Sequence, residues 1–150
     1  MIRVLILTIA TGLVVSVSSL CADDKTPASQ QPAPDVKGTW LPTDGVAAGQ
    51  KLPDNVLSTT KLIMTPETYT VIVGEQKEDG ELKIDFAKKP ATVDVRPTMG
   101  PNKGKMIPAI IEVTGDTMKV CYNTAGPDRP KDFTSTAENK FVLMTYKRQK

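Results

Sequence analysis

Apolar residues fall on alternate positions through much of residues 91–122: Val93 and Val95, then Ile107, Ala109, Ile111 and Val113, then Met118, Val120 and Tyr122. Asp94, Arg96, Glu112 and Lys119 occupy intervening positions, so one face is apolar and the other charged. A period of two is that of half-buried strands. ATVDVRP, IPAIIEV and TMKVCY are therefore three strands. The Gly/Pro-rich loop MGPNKGKM joins the first pair and a Gly115-Asp116 turn the second.

The same pattern, in shorter pieces, fills the rest of the chain. VKGTWL (residues 36–41) is a short strand carrying Gly38 and the only tryptophan, Trp40. Residues 43–58 have turn chemistry at Asp44-Gly45, Gly49 and Pro53-Asp54, with room for one helical turn over residues 54–58. TKLIMT and TYTVIV are strands around a Pro66-Glu67 turn. Residues 75–80 are polar and end in Asp79-Gly80, a hairpin signal. ELKIDF then places Leu82, Ile84 and Phe86 on one face. After Tyr122 the loop NTAGPDRPKDF has no periodicity, and KFVLMTYK is the last strand. The expectation is an all-β fold, an eight-stranded antiparallel up-and-down barrel, since no βαβ unit interrupts the series. Closure removes the bare edges an open sheet would leave. A sandwich is the rival arrangement.

The N-terminus is a different kind of sequence. Arg3 is its only charge, residues 4–17 are almost wholly apolar, and Ser18, Ser19 and Ala22 are small. Residues 1–22 therefore read as a secretory signal peptide; an uncleaved anchor would need a run of about 20 apolar residues. Cys21 raises the alternative of a lipid-modified N-terminus, but Leu20 stands where that processing wants a small residue. Residues 23–35, with Pro27, Pro32 and Pro34 and no apolar cluster, are expected to be a disordered linker, leaving residues 36–148 as the domain. The expected location is outside the cytoplasm: periplasmic, cell-envelope or secreted.

Without Arg3 the 19 basic residues become 18 against 17 acidic ones, which gives no electrostatic case for nucleic acid. The mature chain has no membrane span. Cleavage also leaves Cys121 alone, so an internal disulfide is excluded; a free thiol in a strand most often behaves as a small hydrophobe, while the Thr117 and Lys119 on its face leave partial exposure as the alternative.

Gly38-Thr39-Trp40 in the first strand and Arg148 ending the last follow the lipocalin pattern. The longer series KIDFAKKPATVDV, GPNKGKMIPAIIEVTGDTMKVCY, DRPKDF and a closing strand ending in Lys147-Arg148 resembles the planctomycete-type lipocalin-like domain family of exported proteins, over residues 36–148. It departs from that family at Pro108-Ala109, where a Gly-Ile-Tyr-like run is usual. The resemblance implies a barrel closed by Gly38, Trp40 and Arg148, with the arginine packed over the tryptophan. It implies no catalytic residue, because the family carries no established activity.

The chain has no histidine, which removes Ser-His-Asp and Cys-His catalysis and the usual zinc sites. GPNKGK is one residue short of a phosphate loop, and Met106 stands where Ser or Thr would bind magnesium. Asp85 and Asp94 point outward and Asp116 lies in a turn; Arg129 is expected to pair with a carboxylate. No enzyme activity, cofactor or metal site is implied. The inward set is Trp40, Leu62, Met64, Tyr69, Val71, Val73, Leu82, Ile84, Phe86, Val93, Val95, Ile107, Ile111, Val113, Met118, Val120 and Tyr122, and it holds no charge. Trp40, Tyr69, Phe86, Met118 and Tyr122 are the candidate ligand-lining residues. The leading expectation is a non-catalytic barrel that binds a small hydrophobic molecule. The alternative is a cell-envelope module with a solid core that binds a protein or polysaccharide.

Overall fold

The structure, a computed structural model, describes residues 32–150. The expected signal peptide, Cys21 and residues 23–31 of the expected linker lie outside the described residues. Eight strands form a closed antiparallel barrel: β1 (Gly38–Ala47), β3 (Thr60–Met64), β4 (Thr68–Val73), β5 (Gln76–Asp85), β6 (Ala91–Met99), β7 (Ile107–Thr114), β8 (Thr117–Tyr122) and β9 (Val142–Arg148). Each pairs with the next, and β1 pairs with β9 to close the ring. A two-residue β2 (Gln50–Lys51) and a short helix α1 (Asp54–Ser58) lie between β1 and β3. No helix among the described residues is long and apolar enough to cross a membrane.

Two strands run longer than their sequence patterns suggest, and in both an Asp-Gly pair is responsible. The Asp79-Gly80 pair, expected to be a hairpin turn, lies inside β5; the turn falls at Gly74, whose φ of +59° suits glycine. Gly80 is buried where β4 and β6 press on β5, opposite Tyr69 and Pro97. A Cβ there would lie 2.4 Å from Tyr69 Cε1 and 2.5 Å from the Arg96 carbonyl oxygen. The glycine is required by close approach and marks a bulge between Asp79 and Gly80. Asp44-Gly45 was likewise expected as a turn. It continues β1 past a bulge, because Asp44 through Ala47 pair with Thr145 through Val142 of β9. Pro42 sits just past Trp40, where β1 leaves β3, so one side of the strand needs no ladder donor.

One end of the barrel is sealed. Val36 is buried beneath the end and its carbonyl accepts a hydrogen bond from the Trp40 indole N–H at 2.9 Å. The Arg148 guanidinium stacks over the Trp40 ring, 4.3 Å from its centroid, and donates to the carbonyls of Asp35 and Lys37. Asp35, assigned from sequence to the linker, is therefore held against the barrel. Gly38, at φ +137°, leaves space for the guanidinium, whose Nη1 would lie 3.1 Å from any Cβ placed there. Gly38, Trp40 and Arg148 thus meet where β1 and β9 close the ring.

Residues 123–141 strap across the outside of the barrel. Asn123 opens the strap, accepting from the N–H groups of Ala125 and Gly126 and donating to the Asp128 carbonyl. Arg129 donates to the carbonyls of Val93 (2.8 Å) and Ala109 (2.7 Å) and pairs with Asp94. Beside these contacts Cys121 and its cross-strand partner Ile110 are almost fully buried on the outer face. Of the two readings of Cys121, the structure shows the small hydrophobe and not the partly exposed thiol: the loop read as aperiodic covers it, and its sulfur lies 3.6 Å from the Thr134 carbonyl oxygen. Burial, and secondarily the Asp132 carboxylate, push that thiol up to about 11, so it is not an activated nucleophile.

Candidate ligand-binding chamber

The barrel core is dense at its sealed end. Trp40 and Met118 are wholly buried there, with Met64 beside them. Toward the other end the inward side chains of β3 to β9 stand apart around a chamber of about 340 Å³. Its walls are mainly aliphatic: Leu62, Val71, Leu82, Val95, Ile111 and Val120. Val73, Gln76, Lys77 and Pro101 are exposed and border it, so it opens between the β4–β5 turn and the 100–106 loop. The volume is at the lower end of that of small-molecule sites.

Of the five side chains expected to line a ligand site, Tyr69 and Tyr122 border the chamber. Trp40, Phe86 and Met118 do not. Trp40 and Met118 are consumed by packing at the sealed end, and Phe86 borders a separate cleft formed with Val36, Pro66 and Ile84. Tyr146 of β9 joins the lining, so all three tyrosines of the chain surround one space. The alternation Val142, Met144, Tyr146 in the last strand is the signal that places Tyr146 inside.

The inward face also carries a charge, against the expectation that it holds none. Glu78 points into the chamber on the same side of β5 as Gly80 and Leu82. Its carboxylate accepts from the Tyr69 hydroxyl (2.9 Å), from Asn102 Nδ2 (2.9 Å) and from the Asn102 backbone N–H (3.3 Å). Reading Asp79-Gly80 as a turn ended the strand before this residue. Continuing the period of two back from Leu82 through Gly80 reaches Glu78 and then Gln76.

Burial and the Glu78 charge act together on the phenols. Burial, then the hydrogen bond to Glu78, hold Tyr69 far above the usual phenol range. Burial first and Glu78 second push Tyr122 up to about 12, and burial raises Tyr146 beyond that. All three are neutral hydroxyls at any physiological pH, able to donate or accept. The chamber is thus a mainly apolar space with one carboxylate and three phenols on its wall, bordered also by Gln76, Lys77, Asn102 and Thr124.

The remaining candidates for chemistry are engaged elsewhere. Arg129 is taken up by two carbonyls and Asp94, as expected of a loop-capping arginine. The Asp85 carboxylate accepts the Ala87 N–H at 3.0 Å in the β5–β6 connection. Asp116 lies beside Arg148 in the β7–β8 turn. Compared with protein-family models, with curated proteins and with solved structures, the chain matches none.

Proposed function

We propose that this protein is an exported, non-catalytic barrel of the lipocalin-like kind that carries a small, mainly apolar molecule. The observation that carries the reading is the chamber itself. A barrel of eight strands can be filled by its own side chains, and here about 340 Å³ stays unfilled behind an opening. Close packing at the Trp40 end gives the chamber a floor, and the aliphatic wall favours an apolar occupant through burial of roughly 25 cal/mol for each Å² removed from water. Export is supported by Arg3, the apolar run of residues 4–17 and the small residues before Asp23. The chamber weighs against the solid-core interaction module.

Native mass spectrometry of the gently purified protein tests the reading, before and after delipidation and after return of a neutral apolar probe. One small molecule per chain, lost on delipidation or replaced by the probe, is the expected result. A bare mass that takes up no probe contradicts it.

A further inference from the structure

Glu78 is unusual in this barrel because its carboxylate faces an apolar chamber without a cation of its own. Lys77, its neighbour, borders the mouth of the chamber but pairs with Asp79 at 2.9 Å. Lys105 reaches the same loop but donates to Asn102 Oδ1 at 3.1 Å. Among the described residues no lysine or arginine lies within ion-pair distance of Glu78. Its three protein partners all donate, the set that an acceptor-only carboxylate takes, and a carboxylate has lone-pair capacity beyond three.

A second polar group points to the same space independently. Tyr146 is only 5 % exposed and borders the chamber, yet its hydroxyl has no hydrogen-bond partner among the described residues. Tyr122, at the end of the neighbouring β8, is half-buried and borders the same space. Neither hydroxyl is engaged by another side chain among the described residues, so both are open to a group that enters the chamber.

We propose that the chamber selects an amphiphile with one protonated amine: Glu78 takes the ammonium, Tyr122 and Tyr146 offer hydroxyl oxygens and ring faces, and the aliphatic wall takes the hydrocarbon. An ammonium has only donors, and it complements a site whose free capacity is to accept. Its charge turns the bond to Glu78 into a charge-assisted one and is favoured over the tyrosine rings. A carboxylate headgroup would instead meet Glu78 with like charge. This inference rests on the carrier reading.

The test is calorimetric titration of the full chain with decylamine, decanol and decanoate, each below its micelle concentration, alongside Glu78→Gln. Decylamine should bind about tenfold or more tighter than decanol, whose hydroxyl can donate to the carboxylate but brings no charge to it, with decanoate weakest. Glu78→Gln should bring decylamine to within about twofold of decanol. Decanol bound as tightly as decylamine, decanoate bound best, or a preference surviving Glu78→Gln would each overturn the amine assignment and leave the carrier reading standing. If none of the three binds, the carrier reading falls with it. Should Glu78→Gln not fold, the ranking on the unaltered protein decides alone.

Discussion

Gly80 and Glu78 lie two positions apart on the inner side of β5, and together they determine what the chamber is. The absence of a Cβ at Gly80 lets Tyr69 and the Arg96 carbonyl come close, which positions the Tyr69 hydroxyl to hold Glu78. Gly80→Ala would place its methyl carbon 2.9 Å from Pro97 Cα as well, so backbone and not merely a flexible side chain must move. The expected loss is about 1–3 kcal/mol of stability, as for overpacking in a dense core, read as a fall in the denaturant midpoint. An unchanged midpoint would show that the strands can separate there without cost. These residues also mark where sequence reading stopped. A glycine after aspartate has one appearance and two uses, a turn or a close approach of neighbouring strands. Only the pairing of β5 with β4 and β6, which is non-local, separates them. At Leu82, Ile84, Val93 and Ile111 each strand's own period was enough.

The elements were more legible than the contacts between them. The β3–β4 and β7–β8 hairpins stand where Pro66-Glu67 and Gly115-Asp116 place them, and α1 occupies the expected helical turn. The strap over residues 123–141 was not legible as a structural part, because it is held by single long-range bonds and has no period. Arg129 is its main fastener. Arg129→Met keeps the apolar stem and removes the bonds to Val93, Ala109 and Asp94. The side chains of this ion pair are each 33 % exposed, so solvent screening limits the loss to about 1–2 kcal/mol. Local opening should then expose Cys121, and its alkylation, followed by peptide mapping to separate it from Cys21, should speed up by roughly tenfold for each 1.4 kcal/mol lost. An unchanged rate would mean that other contacts hold the strap.

Residues 32–150 form a floor-sealed barrel whose three phenols and Cys121 thiol are held neutral, and this gives it a one-sided dependence on pH. Cys121 is raised from its ordinary 9.0 to about 11 and Tyr122 from 10.0 to about 12; Tyr69 and Tyr146 are raised further. A raised value means the folded state holds the proton more tightly than the unfolded one. The contribution is therefore complete below the unfolded values and is lost as pH rises through the folded ones. Melting temperature should be insensitive to these groups up to about pH 9 and then decline across about pH 9–12, with tyrosinate absorbance appearing together with unfolding. Tyrosinate appearing near pH 10 in a protein still folded would contradict the tight hold of the fold on these protons. The barrel class itself was legible, since eight short strands without a helical crossover leave few ways to avoid bare edges. The chamber was not, because whether inward side chains meet or stand apart depends on the barrel's cross-section and on which of them the sealed end uses up. The measurement that tests the account most directly is one-site binding of a neutral apolar fluorophore by the full chain, set beside Val120→Phe, which adds a ring to the chamber wall. The account predicts one equivalent bound by the unaltered protein and at least a tenfold weaker affinity in the folded variant, since the ring takes the ligand's place. Equal affinity in both, or no binding by either, would contradict it.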